Sequence, residues 1–217
     1  MDLSISISWA EYAQALAGFF AVVNPFSTIP TFIGLTKGYS NSERRNVVLV
    51  TAFSTFVILL VAFLIGGQIL RFFNISIPSF RIAGGILILM TAFSMLNARQ
   101  SPTKQTDEEV NERHKRDDNI GVMPLAMPLL AGPGSISMLI IASDHSRTPG
   151  DYLFVIAGVL LVAISIFIIL RAGVGIAKAL GKTGMNVMTR MMGLILAAIA
   201  IEFIVAGLSE KFPGWLL

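Results

Sequence analysis

Hydrophobic residues in this chain are gathered into six long runs, separated by shorter segments that hold most of the polar residues. The runs cover 12–36, 46–70, 82–98, 119–143, 152–170 and 191–209, and only the last contains an acidic residue, Glu202. About 20 apolar residues are enough to cross the hydrocarbon core of a bilayer as a helix. Because helices satisfy their own backbone polar groups in lipid, the pattern predicts an all-α membrane protein with six transmembrane helices.

Composition agrees with this pattern and leaves little chain for anything else. Of 217 residues, 54% are hydrophobic and 13% are charged, and the mean hydropathy is +0.76. A water-soluble domain of this size would carry about twice that charged fraction. We therefore expect a single integral membrane domain over 1–217 with the lipid bilayer as its main partner.

Basic residues are distributed unequally between the two sides of the predicted bundle. Segments after the first, third and fifth runs hold eleven Lys and Arg, against three on the other side, with Arg81 and Arg190 set aside. Basic loops are retained in the cytoplasm, so both termini are predicted to be extracytoplasmic. The bias also explains the pI of about 9.4 without nucleic-acid binding.

The sequence contains the same arrangement of motifs twice. Pro25 and Pro30 interrupt the first run, and the same spacing returns at Pro128 and Pro133 in the fourth. The segment 81–87 in the first half is similar in sequence to the segment 190–196 in the second half. These matches predict two repeats, about 10–98 and 119–209, joined by a charged cytoplasmic linker at about 99–118. Three helices per repeat is an odd number, so the second repeat is expected to be inverted in the membrane.

Each repeat is predicted to begin with a helix broken by proline, which removes a backbone donor and clashes with the preceding turn. In secondary transporters with inverted repeats, substrates bind at such breaks near the middle of the membrane. The alternative is that these prolines are ordinary kinks of membrane helices that neighbouring helices repair. The candidate binding residues are Asn24, Pro25, Ser27, Thr28 and Pro30 in the first break and Pro128, Gly132, Pro133, Gly134 and Ser135 in the second.

Four separated motifs resemble the MarC family of bacterial inner-membrane proteins over essentially the whole chain. They are the Asn24-Pro25 pair, the segment 79–87, the proline-rich segment 124–136 and the segment 190–196. The resemblance implies a multi-pass protein of the bacterial inner membrane, with periplasmic termini, that transports small neutral amino acids. It also implies a loose relation to amino-acid exporters of the lysine-exporter type.

Three charged residues lie where the membrane makes a charge costly. Arg81 and Arg190 are each expected about four residues into a helix, the first beginning at Pro78 and the second just after Asn186. A cation at such a position opposes the helix dipole and calls for an anion. Lipid phosphate, a substrate carboxylate and a gating acidic residue are the open alternatives. Glu202 is either a structural partner of an arginine or a proton-coupling group.

Enzymatic functions lack the residues they require. The chain has no cysteine and two histidines far apart in sequence, so we expect no thiol chemistry, no metal site and no cofactor. Three functions stay open: a secondary transporter, a passive channel and a non-transporting scaffold or assembly protein. The substrate, proton or cation coupling, and an oligomeric state are left undetermined by the sequence.

Overall fold

A computed structural model of the chain describes residues 9–97 and 120–216, and all regular structure in those ranges is helical. The chain termini and the whole of the predicted linker at about 99–118 lie outside these ranges. The helices are α1 (Trp9–Val23), α2 (Pro25–Leu35), α3 (Asn41–Phe72), α4 (Ile77–Leu96), α5 (Gly121–Leu130), α6 (Pro133–His145) and α7 (Pro149–Lys211), followed by a short 3₁₀ turn at Pro213–Leu216.

Four stretches are long and apolar enough to cross a membrane: Ala10–Leu35, which joins α1 and α2, then α3, α4 and α7. The pair α5 and α6 forms a fifth candidate that is bent by 66°. Large apolar side chains cover the outside of the bundle, for example Phe53, Met90 and Leu194, each at least 60% exposed. This is the surface expected of a protein whose solvent is lipid. The predictions of an all-helical fold and of an integral membrane protein are confirmed.

The helix breaks follow from the restriction that proline places on the residue before it, which is driven out of the α conformation. Asn24, before Pro25, is left-handed with φ 47°, and Gly132, before Pro133, is extended. Met123 and Met127 precede the other two prolines of the second break region and are also extended, which makes α5 irregular. The chain therefore leaves the helix directly before a proline at each of these positions.

Two sequence expectations about helix ends are wrong. Pro30 does not break its helix: α2 continues through it, and this proline costs one backbone hydrogen bond without ending the helix. Asn186 does not begin a helix, because α7 runs through it. The interruption lies instead at Gly181, whose φ of 62° is open to glycine and strained for other residues. At the start of α3, Ser40 and Glu43 form a capping box, as expected of the sequence Ser40-Asn41-Ser42-Glu43.

Helix directions can be read from close approaches at glycines, taking the α5–α6 pair as the reference. Both α1 and α4 run opposite to α6, since their later residues meet its beginning and their earlier residues meet its middle. The approaches that fix this are Gly134 with Val22 and Ile88, Gly18 with Met138, and Gly84 with Ser137.

The remaining helices are oriented in the same way. Helix α3 runs with the α5–α6 pair, the arm of α7 before Gly181 runs with α1 and α2, and the arm after Gly181 runs opposite to α4. For α3 the approaches are Gly121 with Val47 and Gly66 with Ile140. For the first arm of α7 they are Gly158 with Leu16 and Gly173 with Ile29. For the second arm they are Gly193 with Ala92 and Gly207 with Ile82. Consecutive stretches of the chain therefore alternate in direction throughout the described ranges.

This alternation gives the bundle two ends of different charge. The basic end holds the turn from α2 to α3 and the kink of α7, with Lys37, Arg44, Arg45, Arg171, Lys178 and Lys182. The opposite end holds the turn from α3 to α4, the turn from α6 to α7 and the last turn of α7, with Arg81, Asp144, Asp151 and Glu210 among its charged residues.

Two separate hydrophobic cores lie inside the bundle. The larger is shared by α1, α2, α3, α5, α6 and the first arm of α7, with Met185 added from the start of the second arm, and Phe63, Leu125 and Ile166 are among its fully buried members. The smaller joins only α4 and the second arm of α7, through Ile88, Ala92, Met95, Leu196 and Ala200. The second arm of α7 is therefore packed mainly against α4, apart from Met185 near its start, which belongs to the larger core.

Candidate functional site

The second helix break forms one wall of a cavity of about 380 Å³. Helix α4 forms the facing wall, with Val22 and Leu196 between them. The lining consists of Val22, Leu87, Ile88, Met90, Thr91, Ser94, Pro128, Leu129, Leu130, Gly132, Pro133, Gly134, Ser135 and Leu196. All five residues predicted for the second break are among them, and none of the lining residues carries a charge.

The beginning of α6 presents backbone donors to this cavity. Gly132 is the N-cap and provides no side-chain acceptor, so the first-turn N–H groups of Gly134 and Ser135 have no side-chain cap. The Ser135 hydroxyl turns back to donate to the carbonyl oxygens of Leu130 at 3.0 Å and Gly132 at 2.9 Å. A helix N-terminus with free N–H groups favours an anion such as a carboxylate.

Space at Gly132 is limited by the bend of the chain. A Cβ atom built on Gly132 would lie 2.9 Å from the carbonyl oxygen of Pro128. The backbone itself is extended, with φ −80°, so a larger residue is excluded by contact rather than by conformation. Glycine at this position thus lets the chain fold back on itself at the edge of the cavity.

In the first break, the polar side chains hydrogen-bond to other groups of the protein. Asn24 is 3% exposed, and its Oδ1 accepts from the Ser27 N–H at 3.4 Å while its Nδ2 donates to Met95 Sδ at 3.6 Å. The Ser27 hydroxyl donates to the Asn24 carbonyl oxygen at 3.0 Å. Pro25 and Thr28 are buried in α2. In this conformation Asn24 caps a helix, and none of the five residues predicted for the first break lines the cavity.

The two breaks are nevertheless neighbours. The Cβ position of Gly134, just after the second break, is 3.4 Å from Val22, just before the first. Asn24 reaches Met95 of α4, which in turn meets Gly193 in the second arm of α7. The helices after the two breaks begin at Pro25 and Pro133.

We expect Asn24→Ala to lower the free energy of unfolding by about 2 kcal/mol. Alanine loses the cap and is forced into a left-handed conformation, which costs about 1–2 kcal/mol for residues with a Cβ. Asn24→Gly keeps the conformation and should lose only a few tenths of a kcal/mol. Reversible unfolding of the purified protein in mixed micelles measures both, and equal losses in the two variants would refute the strained cap.

Arg81 pairs with an acidic residue that could not be identified from the sequence. Its guanidinium forms an ion pair with Glu210 at the end of α7, and it also lies 3.4 Å from His145 Nε2 at the end of α6. The His145 Nδ1 is 2.9 Å from the Ile141 carbonyl oxygen, which assigns the proton to Nδ1 and leaves Nε2 to accept from Arg81. The cluster ties three helices together at the opposite end, and no substrate carboxylate is needed to balance Arg81.

A double-mutant cycle of Arg81→Gln and Glu210→Gln should give a coupling energy of about 1 kcal/mol or less. Glu210 is 41% exposed, and ion pairs with an exposed partner are weak because water screens them. Thermal unfolding of the two single variants and the double variant measures the coupling. Additive effects of the two substitutions would mean that the pair does not stabilise the fold.

The other two charged residues singled out in the sequence, Arg190 and Glu202, do not line the cavity. Arg190 is exposed and begins no helix, since it lies nine residues beyond the Gly181 kink. Glu202 is exposed on the outer face of α7 beside Ile201, which is 49% exposed. Within 9–97 and 120–216 neither belongs to an ion pair. The described ranges also contain no group of three metal-ligating side chains.

Several residues of this site cannot be identified from the sequence pattern. Thr91 and Ser94 place hydroxyl groups on the α4 wall of the cavity, and each donates to the carbonyl oxygen one turn earlier. They lie in an apolar run with no nearby proline, so only the packing of α4 against the second break identifies them. Glu210 and His145 are likewise brought to Arg81 by the ends of two distant helices.

Comparison with known proteins is consistent over almost the full length of the chain. A family model described as "MarC family integral membrane protein" matches residues 9–212. A UPF0056 membrane protein of Buchnera aphidicola subsp. Schizaphis graminum is 42% identical over 205 residues, covering 94% of this chain and 95% of that protein. No solved structure gives a significant match.

Relatives occur in bacteria and in an archaeon. The UPF0056 membrane protein YhcE of Escherichia coli is 41% identical over 206 residues, covering 94% of this chain and 95% of that protein. The UPF0056 membrane protein MJ1677 of Methanocaldococcus jannaschii is 40% identical over 197 residues, covering 91% and 95% of the two chains. The chain therefore belongs to the MarC family of integral membrane proteins.

Proposed function

We propose that this protein is a secondary transporter of small neutral amino acids or similar small zwitterions. One observation carries the proposal: two helix breaks in matching positions of the two halves lie side by side, one of them on a cavity with no charged lining residue. Broken helices facing each other at a repeat interface are the usual substrate site of such transporters.

The proposal includes six membrane crossings arranged as two inverted repeats. A straight helix of 63 residues would be about 95 Å long, three times the hydrocarbon thickness, so the Gly181 kink is taken to separate two crossings. Together with the bent pair α5–α6 this makes six. The alternation of helix directions supports the inversion, because the halves then begin from opposite sides.

Equivalent positions in the two halves support a two-fold axis and give its register. Pro25 and Pro133, which begin the helices after the breaks, are 108 positions apart, as are the starts of the following helices at Asn41 and Pro149. The next turn contains Asn74 in the first half and Gly181 in the second, both with positive φ and 107 positions apart. This register replaces the predicted pairing of Pro25 with Pro128 and of Pro30 with Pro133.

Contacts between the halves obey the same register. A Cβ on Gly85 would lie 2.9 Å from the Ala200 carbonyl oxygen, and a Cβ on Gly193 would lie 3.2 Å from the Ala92 carbonyl oxygen. The glycines are 108 positions apart and so are the alanines, so each contact becomes the other when the halves are exchanged. Such reciprocity is characteristic of a two-fold relation.

The lining of the cavity favours a small zwitterion. A carboxylate can accept from the N–H groups of Gly134 and Ser135 at the beginning of α6. The Thr91 and Ser94 hydroxyls and nearby carbonyl oxygens can accept from an ammonium group. A charged side chain would find no opposite charge among the lining residues.

Alternating access is proposed to occur between the two cores. The unit of α4 and the second arm of α7 has its own small core and meets the second break across the cavity. Rocking of this unit against the other helices would open the cavity to one side and then the other. The cluster of Arg81, His145 and Glu210 joins the unit to α6 and would have to open on the extracytoplasmic side.

The basic end is proposed to face the cytoplasm of the bacterial inner membrane, with both termini in the periplasm. The chain contains no cysteine, so single cysteines at Lys37, Arg147 and Lys182 can be probed with a membrane-impermeant thiol reagent. Labelling in intact cells at position 147, and at neither 37 nor 182, is the result that this orientation requires.

We assign proton coupling to Glu202, which lies in the last apolar run and is exposed on the outer face of α7. We expect Glu202→Gln to remove the dependence of flux on a pH gradient, because the amide cannot carry a proton. Glu210→Gln at the helix end is the matched control and should keep that dependence. An unchanged response in Glu202→Gln would assign the residue to structure or to contact with another copy.

The experiment that tests the function is flux of labelled glycine, alanine and serine into proteoliposomes, with and without a pH gradient. A transporter gives saturable flux with competition among the three amino acids. Flux that rises linearly with concentration would favour a passive channel. No flux of any small neutral amino acid by correctly inserted wild-type protein would favour a scaffold.

A further inference from the structure

A second and larger cavity of about 660 Å³ lies at the basic end, away from both helix breaks. It is bounded by α2, the beginning of α3 and the first arm of α7. Its lining consists of Phe32, Asn41, Ser42, Arg44, Arg45, Val48, Leu170, Arg171 and Val174. Its volume lies within the range of about 300–1,000 Å³ that is typical of small-molecule sites.

The cavity brings together three guanidinium groups and no acidic side chain from the described ranges. Arg44 and Arg45 come from the first turns of α3, and Arg171 comes from α7. None of them forms an ion pair in the part of the chain that the structure describes. Arg44 uses its Nε to donate to the Thr36 carbonyl oxygen at 3.3 Å, which leaves its terminal nitrogens for another partner. Three like charges around one cavity repel each other unless an anion lies between them.

The chemistry of these donors points to a phosphoryl group. The planar guanidinium matches the oxygens of a phosphate with two parallel hydrogen bonds. Asn41 and Ser42, from the first turn of α3, add an amide and a hydroxyl donor to the lining. Phosphate oxygens would thus meet arginine, asparagine and serine side chains on the same wall.

The apolar part of the surroundings distinguishes a lipid from a free anion. Phe32, Val48, Leu170 and Val174 form the floor of the cavity. On the outer face of α3, Arg45 is followed at one-turn intervals by Leu49 and Phe53, which are 45% and 68% exposed. A molecule with its phosphate at Arg45 would run its acyl chains along these two side chains into the hydrocarbon.

We propose that this cavity binds the phosphate of an anionic membrane phospholipid, held by Arg44, Arg45 and Arg171. Basic pockets between helices on the cytoplasmic side are a known means of recognising anionic head groups. The site requires only that the protein spans a membrane, so it stands independently of amino-acid transport.

The test is lipid retention by the purified full-length protein, followed by native mass spectrometry and thermal unfolding in detergent with added phosphatidylglycerol. The wild type should bind and be stabilised by phosphatidylglycerol and not by phosphatidylcholine. Arg44→Gln, Arg45→Gln and Arg171→Gln should each weaken binding about fivefold, and their combination should abolish selectivity. The control combination of Arg71→Gln, Arg147→Gln and Lys211→Gln removes the same charge from the opposite end and should retain selectivity.

Equal loss in the test and control combinations would overturn the site, because net charge alone would then explain binding. Unchanged selectivity in the test combination would do the same. Stabilisation of the wild type by inorganic phosphate as large as that by phosphatidylglycerol would overturn the lipid as ligand. If the triple variant does not fold, Arg171→Gln and Arg171→Lys decide: the lysine variant should lose less affinity than the glutamine variant, and equal affinity of both with the wild type contradicts the proposal.

Discussion

Gly132→Val is expected to reduce amino-acid flux about tenfold or more while the protein remains inserted and folded. A Cβ at this position would lie 2.9 Å from the Pro128 carbonyl oxygen, so the chain on the two sides of the bend must move apart. Overpacking of this kind costs about 1–3 kcal/mol, and here the strain falls on the wall of the cavity. The first-turn N–H groups of Gly134 and Ser135 would be displaced from the position in which they meet a carboxylate.

The matched control is Gly34→Val, which adds the same side chain in the helix that follows the first break. No atom lies within 4 Å of the Cβ position of Gly34, so flux should stay close to the wild-type value. Flux in proteoliposomes is measured at equal protein incorporation. Normal flux in Gly132→Val, or an equal loss in both variants, would contradict the assignment of the second break to the substrate site.

Gly85→Val and Gly193→Val are expected to destabilise the protein by similar amounts, about 1–3 kcal/mol each. Close approach of backbones at small residues holds membrane helices together, and these glycines let α4 and the second arm of α7 meet. The Cβ of a substituted Gly85 would lie 2.7 Å from Ile204, and that of a substituted Gly193 would lie 3.1 Å from Met95. Similar losses follow from the proposed two-fold relation, in which the positions are equivalent.

Gly175→Val is the control for this pair, because Gly175 lies in the first arm of α7 with no atom within 4 Å of its Cβ position. Valine there should be nearly neutral, since it also avoids the low helix propensity of glycine. Unfolding in mixed micelles with increasing denaturant measures all three variants. A large loss for one of Gly85 and Gly193 and none for the other would argue against the reciprocal packing.

The breaks themselves were predictable from sequence to within a few residues, and their details were not. The rule that a residue before proline leaves the helix accounts for Asn24 and Gly132. It fails at Pro30, where α2 continues, because tertiary packing can hold a proline inside a membrane helix. Proline spacing alone therefore pairs Pro25 with Pro128, five positions away from the register that we propose for the two halves.

Partners that depend on distant helices were the least predictable part of the site. Arg81 was expected to need an anion, and Glu210 supplies it from a position 129 residues later. Asn24 was expected to bind substrate, whereas its amide is used to cap α2 and reach Met95. In both cases the residue type predicts that the side chain has a partner, an anion for Arg81 and hydrogen-bonding groups for Asn24. The identity of that partner depends on how the helices pack.

The most direct test of a substrate site at the breaks is protection of a single cysteine in the cavity. Ser94 is a half-buried lining residue in a chain without cysteine, so Ser94→Cys gives one reactive thiol at the site. Thr183→Cys, exposed near the Gly181 kink and outside the cavity, is the control. Glycine, alanine or serine should slow alkylation at position 94 and leave position 183 unchanged, and the protection should be lost when Gly132→Val is added. Identical alkylation rates at position 94 with and without these amino acids, in a variant that still folds, would contradict the account.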